Sequence, residues 1–337
     1  MSFKVYLVDQ KTSFDINDHE TILEAALRQG HNLPYGCRNG TCGTCKAKIT
    51  SGKIAYSTDT LPEAISEQEH LQGDVLLCQA RALSNVSLKT RTVETAADIS
   101  LRQFSCRVSS CEKLNDDVIR LILELPKTER LQFLAGQYIN IIMREGKRRS
   151  FSLANAPHQD QIIELHIRHY DGGLFSEYAF KELKERAILR IEGPLGQFTL
   201  QESDRPIIMI AGGTGFAPVK SLVEYSLDKK DIRPIDIYWG ARTESDLYLD
   251  DMAKQWSTDF EHINYIPVLS DVEHINGWTG KTGFVHKAVL KDYPDLSIYD
   301  VYACGPPPMI NAIIETLPEQ GLNKDRLFSD SFEFAAK

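Results

Sequence analysis

Three cysteines within nine residues constrain this chain more than any other feature of its sequence. Cys37, Cys42 and Cys45 lie in the stretch PYGCRNGTCGTCKAK, residues 34–48, and 32 residues separate Cys78 from the third of them. Four thiolates can converge on one centre here only if the short loop supplies three of them and a distant strand supplies the fourth. The chain is therefore expected to fold the segment around Cys78 back against this loop.

The spacing distinguishes three kinds of site: a disulfide, a zinc ion and an iron–sulfur cluster. Zinc sites usually pair two CxxC knuckles, and Cys78 has no second cysteine two or three residues away. A disulfide framework fits poorly with seven cysteines, an odd number, of which three are clustered. The C-x4-C-x2-C…C pattern is that of plant-type 2Fe–2S sites, and the loop glycines would let backbone amides approach the sulfurs. The sequence favours a 2Fe–2S cluster bound by Cys37, Cys42, Cys45 and Cys78.

Composition limits the remaining possibilities. The chain has 337 residues, enough for two or three domains, and 42% of them are hydrophobic. Its N-terminus lacks the basic-then-apolar run of a signal peptide, and no apolar stretch approaches membrane-spanning length, so we expect a cytoplasmic protein with no membrane span. The net charge is −9, and the excess of acidic residues lies in residues 201–337. Such a chain is not expected to bind nucleic acid.

Hydrophobic patterning divides the chain into three modules. In the first, strand, helix and strand patterns surround the cysteine loop at residues 3–9, 13–16, 20–30 and 47–50. In the second, short alternating segments predict an antiparallel barrel with strands at residues 104–108, 118–125, 137–143, 149–154 and 162–169. In the third, apolar runs separated by helical segments predict a parallel sheet with strands at residues 206–211, 235–239 and 300–304. The predicted domains are residues 1–93, 100–200 and 204–337.

Three further segments carry candidate cofactor residues. RRSFSLAN, residues 148–155, lies at a predicted barrel strand and by itself would indicate only a surface strand. AGGTGFAP, residues 211–218, joins an apolar strand to a helical pattern and would present free N–H groups to a phosphate, although it is not the G-x-G-x-x-G fingerprint. CGPPPM, residues 304–309, ends the last apolar strand, where Cys304 could also be a small buried hydrophobe.

Taken in order, these segments resemble the ferredoxin-fused NAD(P)H-dependent flavin reductases of bacteria. Members of that family supply electrons to oxygenases or take part, as reductases, in forming deoxysugars from CDP-6-deoxyglucoseen. The resemblance covers essentially the whole chain and rests on CRNGTCGTC, RSFS, GGTG and CGP in this order. It implies a multidomain fold: an N-terminal β-grasp ferredoxin domain of plant type, an antiparallel β-barrel flavin domain and an α/β parallel-sheet nicotinamide domain like that of ferredoxin reductases. The implied cofactors are a 2Fe–2S cluster, FAD and NADH, with NADPH possible.

The resemblance also implies roles for individual residues. Arg149 would bind the pyrophosphate of FAD, and Phe151, where many members have Tyr, would pack beside the flavin. Ser152 would place its hydroxyl near the reactive flavin nitrogen and Cys304 would lie near the nicotinamide, so both are predicted catalytic residues. The predicted cofactor-binding residues are Arg149, Ser150, Phe151, Ser152, His166, Ile167, Arg168, Gly172, Gly173, Ser176, Gly212, Gly213, Thr214, Gly215, Pro218, Gly240, Arg242, Cys304, Gly305, Pro306, Met309 and Phe332.

Arg242 bears on the choice between the two nicotinamide cofactors. Its guanidinium could bind the 2′-phosphate of NADPH, but the acidic residues that follow it, Glu244, Asp246, Asp250 and Asp251, disfavour an added phosphate. We therefore expect NADH. The resemblance places one aromatic of the C-terminal DSFEF stretch against the flavin, and Phe332 fits that role best, with Phe334 as an alternative.

The module order implies electron transfer from a nicotinamide, through FAD, to the cluster and then to a partner. The expected enzyme is an NAD(P)H-dependent oxidoreductase similar to CDP-6-deoxy-3,4-glucoseen reductase, monomeric when alone. Its electron acceptor would be a sugar dehydratase or, alternatively, a mono- or dioxygenase component. A non-catalytic redox adaptor is a third hypothesis, disfavoured because both the flavin and the nicotinamide segments are complete.

Overall fold

The computed structural model describes residues 2–29, 31, 33–35, 40, 43, 45–57, 60–90, 99–271 and 277–332. The chain forms two compact units. The first comprises Met1–Ser105, Leu125–Leu134 and Pro157–Gln161, and the second comprises Cys106–Glu124, Ala135–Ala156 and Ile162–Lys337. Among the described residues, no helix has both the length and the apolar character that crossing a membrane requires.

The first unit is built on a five-stranded mixed sheet. Its elements are β1 (Ser2–Leu7), β2 (Thr12–Asn17), α1 (Ile22–Arg28), β3 (Lys46–Ser51), β4 (Ile54–Tyr56), α2 (Glu67–Leu71), β5 (Asp74–Leu76), β6 (Ala80–Ala82) and β7 (Val86–Lys89). The strand order is β2-β1-β7-β3-β5, with β1 and β7 parallel and the other pairs antiparallel, while β4 and β6 form a separate pair. One helix across such a sheet is the β-grasp arrangement, as predicted.

Alternation explains why this sheet has one buried face. Val5, Leu7, Phe14 and Ile16 are all buried in the core of the first unit, while the residues between them face outward. The helix α1 begins with a capping box, in which the Thr21 side chain accepts from the Glu24 amide and the Glu24 carboxylate accepts from the Thr21 amide. Its apolar side then packs onto the sheet.

The second sheet is a six-stranded antiparallel barrel. Its elements are β8 (Arg102–Lys113), β9 (Val118–Glu124), β10 (Tyr138–Ile142), β11 (Arg148–Ser152), β12 (Ile162–Arg168), α3 (Leu174–Lys181) and β13 (Ile188–Leu195). The order is β11-β10-β13-β8-β9-β12, and an isolated bridge between Leu153 and Leu165 joins its two ends. The five predicted segments all lie on these strands. The sequence interpretation missed β13, because none of the predicted barrel segments covers Ile188–Leu195.

The third sheet is parallel throughout. Its elements are β14 (Ile207–Gly212), α4 (Phe216–Asp228), β15 (Ile235–Ala241), α5 (Asp250–Asp259), β16 (Ile263–Leu269), β17 (Lys281–Thr282), α6 (Val285–Asp292), β18 (Asp300–Gly305), α7 (Pro307–Thr316) and β19 (Leu327–Ser331). Its order is β17-β16-β15-β14-β18-β19. Apolar clusters cover both faces, which explains the continuous apolar runs in the sequence.

The strand order places the candidate site of this sheet. From β14 the chain proceeds to β15, β16 and β17 on one side, and it returns to β18 and β19 on the other. The order therefore reverses between β14 and β18, and ligands of such sheets bind at the carboxyl ends of the strands at that reversal. Gly212 ends β14 and Gly305 ends β18, so both predicted glycine loops lie there.

Candidate functional site

The two predicted nicotinamide loops pack together at backbone distance. Gly215 lies in the loop between β14 and α4, and a Cβ there would lie 2.0 Å from the carbonyl oxygen of Cys304. Only glycine allows this approach. The Gly213 carbonyl accepts a hydrogen bond from Trp239 Nε1 at 3.0 Å, which fixes the loop on the side of β15. The structure thus brings residues 212–215 and 304–305 together.

Cys304 is fully buried at the end of β18, between β14 and β19. It is paired in register with Ala211 on one side and Asp330 on the other, and its Sγ lies 3.9 Å from Asp330 Oδ2. Burial, together with the negative charge of Asp330, raises the pKa of the Cys304 thiol well above its ordinary value. Cys304 is therefore a protonated thiol rather than a thiolate nucleophile.

Asp330 is a candidate site residue that the sequence interpretation did not select. Burial raises its carboxyl pKa, although the hydrogen bond with Cys304 opposes that shift. Asp330 also lines a cavity of about 230 Å³ together with Tyr138, Gly196, Gln197, Phe198, Phe328 and Ser329. The sequence pointed to Asp330 only through its position two residues before Phe332. Its pairing with Cys304 could be predicted only if Leu327–Ser331 had been recognised as a strand.

Phe332 lies directly after β19. Its backbone N–H donates to the Gly305 carbonyl at 3.0 Å, and its half-buried ring packs against the core that includes Cys304. The predicted aromatic therefore adjoins the CGP loop. Phe334, the alternative, lies outside the described residues.

Two neighbouring arginines of β11, the predicted flavin strand, differ in their hydrogen-bond partners. Arg148 forms a two-point ion pair with Glu192, through Nε at 2.8 Å and Nη2 at 3.1 Å. Arg149 has no carboxylate partner among the residues that the structure describes, and its Nη1 donates to the Arg148 carbonyl at 2.8 Å. A guanidinium without a protein anion fits a phosphate ligand. This geometry is consistent with the role predicted for Arg149.

The rest of β11 positions the remaining predicted flavin residues. The Ser150 hydroxyl donates to Asn140 Oδ1 at 2.8 Å, and the Phe151 ring lies 5.3 Å from the Phe175 ring of α3. Ser152 is buried and lies opposite Tyr138 of β10, a residue of the cavity that Asp330 also lines. Tyr138, the strand partner of Ser152, and Asp330, the strand partner of Cys304, therefore line the same cavity.

On β12, the predicted residues His166 and Arg168 both contact protein groups. The two ring nitrogens of His166 lie 3.0 Å from Glu164 Oε1 and 3.0 Å from the Tyr248 hydroxyl. Arg168 binds Asp117 through Nε at 3.0 Å and Nη2 at 2.8 Å. Gly213 lies close to the third nitrogen of this guanidinium, because a Cβ added to Gly213 would be 3.1 Å from Arg168 Nη1. Arg168, paired with Asp117, thus lies between the barrel and the predicted nicotinamide loop.

Two backbone N–H groups just ahead of α3 are bound by side chains from its first turn, while no side chain caps the helix itself. The Gly172 N–H donates to Glu177 Oε1 at 2.8 Å, and the Tyr170 N–H donates to the Ser176 hydroxyl at 3.2 Å. A phosphate bound by the Tyr170 and Gly172 N–H groups would have to compete with these two contacts. The involvement of Gly172, Gly173 and Ser176 in flavin binding stays a prediction.

Around Arg242, two carboxylates surround the guanidinium. Arg242 Nη2 lies 3.2 Å from Asp246 Oδ1 and 3.6 Å from Asp117 Oδ2. Asp246 is held in turn by the Thr243 backbone N–H at 3.1 Å. Burial is the largest single influence and opposes the ionisation of Asp246, but the hydrogen bonds from Arg242 and the Thr243 N–H, together with the charges of Arg242 and Arg168, outweigh it and lower the pKa of that carboxyl. The charge that could bind a 2′-phosphate is therefore already neutralised.

Two of the four predicted cluster ligands are described. Cys45 and Cys78 are buried in the core of the first unit, neither in a disulfide. The Leu77 N–H donates to the Cys45 carbonyl at 3.1 Å, so the chain before Cys78 is bonded directly to the end of the loop. This is the predicted return of a distant segment, and two buried cysteines on directly bonded backbone segments fit an iron–sulfur site. Cys37 and Cys42 lie outside the described residues.

Comparison with known proteins defines the class. A 2Fe-2S iron-sulfur cluster binding domain matches residues 5–83, an oxidoreductase FAD-binding domain matches residues 105–200, and an oxidoreductase NAD-binding domain matches residues 209–315. The chain belongs to the family of iron–sulfur flavoprotein reductases that combine these three domains. The resemblance, the three-part fold and the cofactor set predicted from the sequence are thereby confirmed: this is an NAD(P)H-dependent oxidoreductase with FAD and a 2Fe–2S cluster.

Its relatives include reductases with different partners. The chain is 42% identical to a CDP-6-deoxy-L-threo-D-glycero-4-hexulose-3-dehydrase reductase of Yersinia pestis, over 98% of this chain and 99% of the relative. It is 33% identical to reductase component 1 of a terephthalate 1,2-dioxygenase of Comamonas, over 98% of each chain. The crystal structure of the Amycolatopsis cytochrome P450 reductase GcoB matches with a TM-score of 0.67 and 30% identity, covering 99% of this chain and 100% of that one.

Proposed function

We propose that this reductase takes electrons from NADH and passes them, through FAD and the cluster, to a dehydrase that acts on a CDP-linked deoxyhexulose. The choice of this acceptor is supported by the 42% identity, along nearly the whole chain, to a reductase named for that dehydrase. Identity to the dioxygenase reductase component is 33% over the same span. An oxygenase component is the second candidate, supported by the structural similarity to GcoB.

Within this function, the residues of the chain position the cofactors. When bound, FAD would supply the acceptance of a hydride from the nicotinamide and the release of electrons one at a time. Arg149 is assigned to the pyrophosphate because, within the described part of the chain, no carboxylate binds its guanidinium, whereas that of Arg148 is paired with Glu192. Ser152 offers a buried hydroxyl, and Cys304 offers a protonated thiol that adds no negative charge to the site. These roles agree with the predicted catalytic pair.

NADH is the proposed donor because the chain neutralises the charge that NADPH would require. The Arg242 guanidinium is bound by Asp246 and lies close to Asp117, so an added 2′-phosphate would have to displace a carboxylate or approach two of them. We also expect a cytoplasmic location and a monomeric enzyme, on the sequence grounds already given.

The acceptor is tested by reconstitution with two candidate partners. The purified holoenzyme is mixed with NADH and either the dehydrase and its CDP-sugar substrate or an oxygenase component and its aromatic substrate, and product is quantified. Sugar product formed in proportion to NADH consumed supports the proposal. Product formation only with the oxygenase would replace the dehydrase by the second candidate.

The path through the cluster is tested separately. Replacing Cys42→Ser should abolish reduction of a one-electron protein acceptor, because the cluster loses a thiolate ligand, while NADH–ferricyanide activity through the flavin persists. Replacing Cys106→Ser is the matched control, because Cys106 is buried in the barrel and has no predicted metal role. If both activities survive in the Cys42 variant, the cluster does not lie on the electron path.

The role of Arg149 is tested by flavin retention. Arg149→Ala should release flavin on dilution because it removes the proposed pyrophosphate ligand, whereas Arg148→Ala removes a neighbouring guanidinium that is paired with Glu192. The measurement is the flavin-to-protein ratio after gel filtration. An equal ratio in the two variants would discard the assignment of Arg149.

A further inference from the structure

A lysine is buried in the second unit with its charge fully satisfied. Lys220 lies on α4, and its side chain is 5% exposed. Its ammonium contacts three acceptors: Glu224 Oε1 at 2.9 Å, Glu164 Oε2 at 3.1 Å and the Ala154 carbonyl at 3.2 Å. An ammonium has three donors, so every one of them is used. None of these residues belongs to the predicted cofactor ligands.

These contacts join the two segments on which the flavin and nicotinamide assignments rest. The helix α4 starts immediately after the glycine loop at residues 212–215, and Ala154 follows Ser152 by two residues. On the same turn of α4, the Ser221 hydroxyl donates to the Asn155 carbonyl at 2.8 Å. Two consecutive residues of α4 therefore bind two consecutive carbonyls of the chain that leaves β11.

Glu164 ties the same segment to the barrel. Its backbone carbonyl accepts from the Ala154 N–H at 2.8 Å, and its backbone N–H donates to the Asn155 side chain at 2.9 Å. Its carboxylate accepts from Lys220 and from His166 Nε2. Burial alone would raise the Glu164 pKa, but the His166 hydrogen bond and the Lys220 charge outweigh it and lower the pKa to about 2. The pair is thus an ionised, buried one.

The network returns to the nicotinamide loop through aromatic residues. With His166 Nε2 donating to Glu164, His166 Nδ1 accepts from the Tyr248 hydroxyl at 3.0 Å. The Tyr248 ring stands perpendicular to the Trp239 ring at 5.1 Å, and Trp239 Nε1 donates to the Gly213 carbonyl. Starting from Lys220, the contacts therefore lead both to the segment after Ser152 and to the loop at Gly213.

A buried ion pair stabilises a fold little better than apolar side chains of the same volume, and the best-attested reason for retaining one is that it fixes a particular register. We propose that Lys220 is a positioning residue for hydride transfer, holding the segment that follows Ser152 at a fixed place relative to the glycine loop at residues 212–215. This inference rests on the proposed flavin and nicotinamide roles of those two segments.

The test uses the holoenzyme and four variants: Lys220→Met, Glu164→Gln, the double variant, and Lys229→Met as a control. Lys229, at the end of the same helix, lies over the Tyr225 ring and far along the helix from Lys220. Anaerobic stopped-flow measures flavin reduction at saturating NADH, the deuterium isotope effect on it and the Kd for NADH. Hydrogen exchange of the segment 153–155 and the Tm are measured on the same preparations.

With Lys220→Met, we expect flavin reduction at saturating NADH to fall at least about tenfold, because misplaced reacting groups lose rate even when both are bound. The Kd for NADH should stay nearly unchanged, the isotope effect should rise, and exchange at 153–155 should accelerate. The double variant should recover part of the Tm, since the more deeply buried Glu164 is no longer an unpaired charge and only the more exposed Glu224 loses its partner, but it should not recover the rate. Lys229→Met should resemble the wild type in all of these measurements.

Three results would overturn the inference: flavin reduction within about twofold of wild type in Lys220→Met, unchanged exchange at 153–155, or recovery of both rate and Tm in the double variant. The last would show that Lys220 only balances the Glu164 charge. If Lys220→Met fails to fold, the double variant supplies the same comparison. Failure of NADH to reduce the wild-type flavin would instead overturn the proposed function, and the exchange measurement would still report on the network.

Discussion

The side chain of Gln132 makes two hydrogen bonds whose loss should be measurable at a defined place. Its Oε1 accepts from the Tyr35 N–H at 2.9 Å, and its Nε2 donates to the Leu33 carbonyl at 2.9 Å. Gln132, Leu33 and Tyr35 are all buried in the first unit, and the two backbone groups lie just ahead of the cysteine loop. One amide side chain thus pairs with the backbone as a neighbouring strand would.

Replacing Gln132→Leu keeps the volume and removes both partners. A buried polar group left unsatisfied costs about 1–3 kcal/mol, so two such groups should destabilise this segment by at least about 2 kcal/mol. Because about 1.4 kcal/mol corresponds to a factor of ten in an equilibrium constant, local opening of residues 33–35 should become roughly 30-fold more frequent.

Hydrogen–deuterium exchange followed by mass spectrometry on peptides that cover residues 33–35 measures this change. Gln132→Glu keeps the acceptor for Tyr35 but places a carboxylate oxygen against the Leu33 carbonyl, so we expect exchange at residues 33–35 at least as fast as in Gln132→Leu. Gln137→Leu is the matched control, because Gln137 is a buried glutamine of the second unit whose Nε2 donates to the Gly196 carbonyl at 3.0 Å. Exchange at residues 33–35 that is equal in Gln132→Leu and wild type would refute the reasoning.

Three further predictions concern the second unit. Asp246→Asn should raise the NADPH-to-NADH ratio of kcat/KM by about three- to tenfold, because it removes a partner from the partly exposed Arg242; an unchanged ratio counts against that pairing. Gly215→Ala places a Cβ 2.0 Å from the Cys304 carbonyl oxygen and should slow NADH oxidation and lower Tm by a few degrees, whereas a wild-type Tm would contradict the backbone packing. Burial lowers the pKa of His166, so the folded unit keeps the ring neutral while the unfolded chain takes up a proton below about pH 6.5. The free energy of unfolding should therefore decrease as the pH falls below about 6.5, by at most about 1.4 kcal/mol per pH unit. The urea midpoint of His166→Gln should decrease less steeply over the same pH range.

Several strands were predictable because their signal is local. β14, β15 and β18 are continuous apolar runs, and each observed strand starts within one residue of the prediction. β16 was missed because Pro267 interrupts it, yet the proline is tolerated since the short β17 pairs only with Val268 and Leu269. β19 was missed because LFSDS does not form an apolar run, although its strand pairs in parallel with β18.

The cysteine spacing was sufficient by itself to indicate the chemistry of the first module. The RSFS strand and the two glycine loops were recognised through their order along the chain and their resemblance to a reductase family. Only the tertiary structure decided which buried polar groups meet. Cys304 and Asp330, Lys220 and Glu164, and Gln132 and Tyr35 lie 26, 56 and 97 residues apart. Each pairing depends on strand order, register or loop return, and a polar residue within a segment carries no local mark of its distant partner. Burial then makes the pairing necessary, because an unpaired charge or amide in the interior costs a large fraction of the small net free energy of folding.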